Sequence, residues 1–158
     1  MTENLTKPAL DPAGVEPRIG AGYPDKFKAL CAEREKRILG DPLGLTNFGV
    51  NLVTLKPGSG SAERHWHSCQ DELIYVLEGE ITLITNAGEQ TLRPGMVAGF
   101  PAGVADGHNL INRGATDARY LEIGDRTTGD EVAYPDIDLA ARSVDGSFKF
   151  FAKDGTPY

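Results

Sequence analysis

All three histidines of this 158-residue chain, His65, His67 and His108, fall within two short segments. Imidazole nitrogen is the commonest protein ligand for divalent transition metals, and a nearby carboxylate adds negative charge and a harder oxygen donor. On a β-strand, residues i and i+2 point to the same face, so His65 and His67 can share one partner. Glu72 is the preferred carboxylate over adjacent Asp71, because strand alternation separates the two and Glu72 shares its parity with the inward-looking Ile74 and Val76. A His-x-His pair beside an acidic residue is by itself a weak signal, and a pair of exposed loop histidines is the bland alternative. The metal reading leads because no further histidine dilutes the coincidence. His108 also lies beyond a second strand pattern, punctuated by Gly and Pro, that can return to the first.

The elements that must position these groups are strands. Thr46 to Leu55 alternates loosely and ends at the turn Lys56-Pro57-Gly58. Glu72 to Leu77 forms the next strand. Ile81 to Thr85 pairs with Gln90 to Leu92 across Asn86-Ala87-Gly88-Glu89, which reads as a hairpin loop. Met96 to Phe100, His108 to Asn112 and Ala118 to Gly124 follow. About seven short strands with regular turns argue for an all-β sandwich or barrel. Upstream, Phe27, Leu30, Cys31, Arg34 and Ile38 stand at helix-like spacing after Pro24, which predicts a short helix, while Arg34 to Leu39 reads equally as an edge strand. Downstream, Asp125 to Asp138 lacks a period and is expected to wrap the exterior. Phe148, Phe150 and Phe151 form an apolar cluster suited to covering an open barrel face or an oligomer contact.

The two segments resemble the paired motifs of the cupin superfamily. His65, His67, Glu72 and Gly79 fit the first motif, with its opening glycine displaced by one to Gly60 or Gly58. Gly95, Pro101 and Gly103 fit the second, and His108 keeps its spacing to Asn112. The departure lies between Gly103 and His108, where Val104-Ala105-Asp106-Gly107 stand in place of two residues, so a strict match puts Asp106 at the histidine position. Either Asp106 ligates or His108 reaches the site from a bulged strand; our reading takes His108. The resemblance spans roughly Thr46 to Gly124, about half the chain. It implies a double-stranded β-helix (jelly-roll) barrel over 46–124, with an N-terminal helix or extension over 1–45 packing on it and a C-terminal wrapping segment over 125–158, one domain overall. It also favours a homodimer, and with it the oligomer-contact reading of Phe148, Phe150 and Phe151.

The ligand set His65, His67, Glu72 and His108 leaves open positions on a six-coordinate ion, the condition for a metal to act on a bound molecule. Mn, Fe, Ni, Co and Zn are all compatible with these donors. The first expectation, similar to small sugar-phosphate isomerase-like cupins, is a metal-dependent isomerase of a small polyoxygenated substrate. The alternatives are a non-haem iron dioxygenase and a non-catalytic small-molecule-binding or sensing barrel. Tyr75 and Glu63 flank the ligands and are the candidates for moving a proton, although a packed tyrosine and a surface glutamate are their plainer readings. Arg64, Arg93 and Arg113 are candidates for meeting a phosphate. Asn112 and Gln70 are expected to orient ligand imidazoles through their free ring nitrogens. Trp66 is expected to point away from the histidines, and Cys69 to fill the turn between ligands, with thiolate ligation as its alternative.

Composition narrows the remaining classes. A hydrophobic content of 40% with 19 glycines and 10 prolines suits a turn-rich β-protein with a real core. The net charge of −7 argues against a nucleic-acid groove, and no apolar run is long enough for a membrane span. Met1 to Arg18 lacks the pattern of a secretory signal, so a cytoplasmic location is expected. Cys31 and Cys69 are then expected to be free thiols.

Overall fold

The computed structural model describes residues 5–158; the first four residues of the expected N-terminal extension lie outside them. In chain order the strands are β1 (Arg18–Ile19), β2 (Glu35–Ile38), β3 (Phe48–Leu55), β4 (Trp66–His67), β5 (Glu72–Glu78), β6 (Ile81–Thr85), β7 (Gly88–Leu92), β8 (Val97–Phe100), β9 (Asn109–Ile111), β10 (Ala118–Asp125), β11 (Glu131–Tyr134), β12 (Leu139–Val144) and β13 (Ser147–Phe151). They form a six-stranded sheet ordered β1-β2-β3-β10-β5-β8, a four-stranded sheet β13-β12-β11-β4 and a three-stranded sheet β7-β6-β9. All neighbours in the large sheet are antiparallel, and beyond β3 they are distant in sequence, as β10 against β3 and β5. This is a jelly-roll barrel, the all-β architecture expected from the sequence.

Alternation decides what each strand buries. On β5, Ile74 and Val76 point inward while Leu73, Tyr75 and Leu77 stay exposed. The inward residues of β3, β5, β6, β9 and β10 (Val53, Leu55, Ile74, Val76, Ile81, Leu83, Leu110, Tyr120) make one core. A second core joins the N-terminal segment to the C-terminal sheet through Tyr23, Cys31, Val132, Tyr134 and Leu139. Gly79, Gly95 and Gly103 all take positive φ at turns, as expected. Gly79 is the most constrained, since a Cβ there would meet the Asp117 carbonyl oxygen at 2.7 Å.

Two expectations change. The helix predicted from Pro24 is replaced by the 3-10 turns Asp25–Phe27 and Ala29–Cys31, followed by β2, which lies between β1 and β3 rather than at the sheet edge. The apolar spacing was real, because Phe27, Leu30 and Cys31 all face the second core. The backbone bonds go elsewhere, however: the Leu30 carbonyl accepts the Gly60 N–H, the Arg34 carbonyl accepts the Gly20 N–H, and Glu35–Ile38 pairs with β3. A helix would need those carbonyls internally. The C-terminal segment also does more than wrap the exterior. Its β11 pairs with β4 and β12, so it belongs to the sheet that carries His67.

Candidate metal centre

His67 ends β4, whose partner is β11, with His67 opposite Val132. His65 lies two residues earlier and is joined to His108 by a pair of backbone hydrogen bonds, His65 N–H to the His108 carbonyl at 3.1 Å and the reverse at 2.9 Å. Glu72 opens β5 on its inward face. The Nε2 atoms of His65, His67 and His108 consequently lie 3.7, 3.9 and 3.0 Å from Glu72 Oε2. His65, His67 and Glu72 form a cluster able to hold a metal ion, with donor atoms within 4.8 Å of one another.

The rings are fixed from behind. His67 Nδ1–H donates to Asp130 Oδ2 at 2.6 Å, and His65 Nδ1–H donates to the Glu63 carbonyl oxygen at 2.9 Å. Carboxylate and carbonyl oxygens can only accept, so in the neutral rings the Nε2 lone pairs of both face Glu72. Two lone pairs aimed at a carboxylate repel unless a cation or protons intervene, and this donor set therefore suits a divalent transition metal. The His108 ring lies flat on Phe100, 3.5 Å between centroids and 1° from parallel; its buried Nδ1 has no partner among the described residues. Without a metal, protons take up the tension. Burial opposes a charge on His65, yet the Glu72 carboxylate beside it carries its pKa above the usual value. Burial likewise opposes the charge on Glu72, but hydrogen bonds from His108 and His65 hold it well below the usual carboxylate range.

Of the residues singled out from sequence, the structure brings His65, His67, Glu72 and His108 together. Asp106 is elsewhere: the inserted residues reach over to the β6–β7 turn, where Asp106 Oδ1 accepts the Asn86 N–H at 2.7 Å. Tyr75 points to the outer face of β5 and is 40% exposed, since its parity is opposite to that of Glu72. Glu63 contributes its carbonyl rather than its carboxyl, which burial and the Asp136 charge push up. Asn112 is a staple for its own turn, donating to the Leu55 and Thr116 carbonyls and accepting from Gly114 N–H. Gln70 donates to the Thr127 carbonyl. Neither hydrogen-bonds to an imidazole among the described residues. Arg64, Arg93 and Arg113 pair outward with Asp136, Glu80 and Glu89. Cys31 and Cys69 are free thiols, and Trp66, opposite Ala133, alternates away from the histidine pair.

Asp130 escaped the sequence reading. Its side chain is fully buried, and its second oxygen accepts the Cys69 N–H at 2.9 Å, so one carboxylate orients His67 and closes the turn after it. A buried acidic residue 63 positions away in a segment without period carries no local signal.

The cluster lies in the wall of a cavity of about 460 Å³, lined by Arg34, by Lys36, Asn51, Tyr120 and Glu122 from the large sheet, and by Tyr134 and Phe148. Lys36 Nζ pairs with Glu122 Oε2 at 2.6 Å, and Asn51 Nδ2 donates to the same oxygen at 2.9 Å. Burial, with the Glu122 charge, raises the Tyr120 phenol well above its ordinary value, and burial lifts Tyr134 to about 12. Both remain neutral hydroxyls at physiological pH. This is a polar, charged pocket of the size that holds a small molecule.

The cupin domain family model matches residues 51–124. Over 96% of both chains, the fold superimposes with a TM-score of 0.91 and 42% identity on a cupin-superfamily sugar phosphate isomerase from Silicibacter pomeroyi. A candidate sugar phosphate isomerase from Acidithiobacillus ferrooxidans matches at TM-score 0.72 and 31% identity, over 80% of this chain and 81% of that one. The polyketide cyclase RemF from Streptomyces resistomycificus shares the fold, with TM-score 0.62 and 21% identity over 74% and 78% of the two chains. No curated protein matches.

Proposed function

This chain belongs to the cupin superfamily, and from that premise we propose that it is a metal-dependent enzyme acting on a small polyoxygenated substrate, a sugar phosphate isomerase in kind. The observation that carries the proposal is the convergence of three imidazole Nε2 atoms on one Glu72 oxygen in the wall of a charged cavity. His65, His67, Glu72 and His108 would hold the ion. When bound, a divalent metal supplies Lewis-acid polarisation of substrate oxygens. The two relatives above 30% identity, both carrying the sugar phosphate isomerase description, support the reaction class.

The chain's own residues supply the rest. We assign the proton-moving role to Glu122 in place of Tyr75 and Glu63. Its Oε2 is held by Lys36 and Asn51, its Oε1 has no hydrogen bond among the described residues, and the residue lines the cavity. That oxygen would take a proton from the carbon beside a carbonyl and return one to the carbonyl carbon, as the hydroxyl proton passes between the substrate oxygens. The Tyr120 hydroxyl remains available as a neutral donor to a substrate oxygen. A non-catalytic binding barrel would be favoured by a wholly apolar lining, and Lys36, Glu122 and Arg34 make this one charged. No feature of the cavity specifically favours the dioxygenase alternative.

The exposed outer face of the large sheet carries Leu73, Tyr75, Leu77 and Val97. A contiguous apolar sheet face of this kind suits association with a second copy, and we place the homodimer contact there. Light scattering of wild type beside Leu73→Asp should show a dimer and a monomer respectively.

The test of function joins elemental analysis to a screen of aldose and ketose phosphates for interconversion. We expect about one divalent transition metal per chain, and a turnover that His67→Ala removes together with the metal. A chain that takes up no metal on reconstitution would overturn the proposal.

A further inference from the structure

The short β1–β2 ladder and the residue leading into it gather three cations, of which only Lys36 has a carboxylate partner among the described residues. Arg18 stands directly opposite Lys36 across this antiparallel pair, and Arg34 immediately precedes β2. All three line the cavity. Like charges directly opposite one another on a sheet destabilise it. Glu122 compensates only Lys36. Arg34 has its two terminal nitrogens on the carbonyl oxygens of Ser61 and Gly20, at 2.6 and 2.8 Å, and its buried Nε has no partner among the described residues. Arg18 makes no ion pair or side-chain hydrogen bond within the described residues, in a protein whose net charge is −7.

We propose that Arg18, Arg34 and Lys36 form an anion subsite that takes a phosphomonoester end group, and so fix which way the substrate lies in the cavity. The inference deepens the sugar phosphate reading and rests on it. The sheet order supplies the geometry. From β2 to β5 there are three strand steps, through β3 and β10, or roughly 14 Å between backbones at about 4.8 Å per step. Long side chains reach inward from both ends. Between them, β3 contributes Asn51 and β10 contributes Tyr120 and Glu122, all facing the cavity. The wall thus reads in one direction as guanidinium groups, then hydroxyl-binding groups, then the histidine cluster. A phosphorylated sugar has the same order: dianion, hydroxyls, and the carbonyl end where chemistry occurs. A guanidinium fork matches phosphate oxygens in pairs, and Arg18 has its fork free among the described residues, while Arg34, tied to two backbone carbonyls, adds fixed positive charge beside it.

The test is calorimetric titration of inorganic phosphate, glycerol 3-phosphate and glycerate into the full chain as isolated, with its metal content measured. Wild type is compared with Arg18→Ala and with Arg113→Ala, whose side chain pairs with Glu89 far from the ladder. Arg18 is exposed and stands opposite the like charge of Lys36, so its removal should not lower the melting temperature. We expect phosphate and glycerol 3-phosphate to bind wild type, and Arg18→Ala to bind them roughly ten- to a hundredfold more weakly with its metal retained. Arg113→Ala should behave as wild type. The subsite is overturned if wild type ignores both phosphates, if glycerate binds as tightly as glycerol 3-phosphate, if Arg18→Ala binds as wild type does, or if Arg113→Ala weakens equally. A chain that binds phosphate through Arg18 yet holds no metal would keep the subsite and remove the metal-dependent reading.

Discussion

Replacing Asp130 by asparagine should weaken metal binding without removing a single ligand. Asp130 Oδ2 accepts the His67 Nδ1–H at 2.6 Å and Oδ1 accepts the Cys69 N–H at 2.9 Å. A hydrogen bond to a charged group contributes about 1.5–3 kcal/mol and a neutral one about 0.5–1.5, so the exchange of carboxylate for amide costs about 1–1.5 kcal/mol at His67. That corresponds to roughly five- to fifteenfold in affinity, at the lower end of the tenfold-to-hundredfold losses usual for groups that orient metal-bound imidazoles. The asparagine faces a second difficulty. If its oxygen serves His67, its NH2 confronts the Cys69 N–H and leaves that donor unsatisfied, at a further cost to stability of about 1–3 kcal/mol. The assay is competition for Zn²⁺ against a fluorescent chelator, run beside His67→Ala and Gln70→Ala. His67→Ala should be far weaker than wild type, Asp130→Asn intermediate, and Gln70→Ala unchanged, since the Gln70 amide donates to the Thr127 carbonyl and not to an imidazole. An Asp130→Asn protein with wild-type affinity would refute the argument that this carboxylate sets the His67 tautomer and aim.

Glu72→Gln should lose metal more completely than any single histidine variant, because Glu72 Oε2 is the atom on which all three imidazoles converge; equal metal content by elemental analysis would contradict it. The chelated protein should be most heat-stable between about pH 4.5 and 6.5. The depressed Glu72 contributes stability above its ordinary value of 4.5 and loses it as pH falls through the folded pKa. The raised His65 contributes below its ordinary 6.5 and loses it as pH rises through the folded one. Added metal requires unprotonated imidazole and should move that optimum upward, so a melting profile flat with pH in chelator would count against the cluster's coupling. One thiol per native chain should react with a thiol reagent near pH 8, and two after denaturation. Cys69 is exposed, whereas Cys31 is buried with its pKa pushed up to about 11; two fast thiols in the native chain would contradict that placement.

Local backbone geometry made much of this protein legible in its sequence. Strand alternation put His65 and His67 on one face and chose Glu72 over Asp71, and the turn glycines marked the strand ends. The same alternation, applied to Tyr75, already placed it on the face opposite Glu72, so its candidacy was excluded by a rule in hand. Strand pairing decided what alternation could not. The helical spacing of Phe27, Leu30 and Cys31 records the face they bury, but their segment keeps only short 3-10 bonds for itself and gives the Leu30 and Arg34 carbonyls to Gly60 and Gly20, and its following strand to β3. β11 is four residues long, too short for a period to emerge, yet pairing with β4 brings Asp130 against His67. Arg18, Arg34, Lys36 and Glu122 look like ordinary surface charges along the chain, and they share one cavity wall only because β1, β2, β3 and β10 are neighbours in a sheet. Which face a side chain takes is settled by bond geometry within a few residues, and so it can be read from sequence. Which groups then meet depends on burial and pairing between segments far apart in the chain, and for Asp130 and the β1–β2 cations only the tertiary structure decided that.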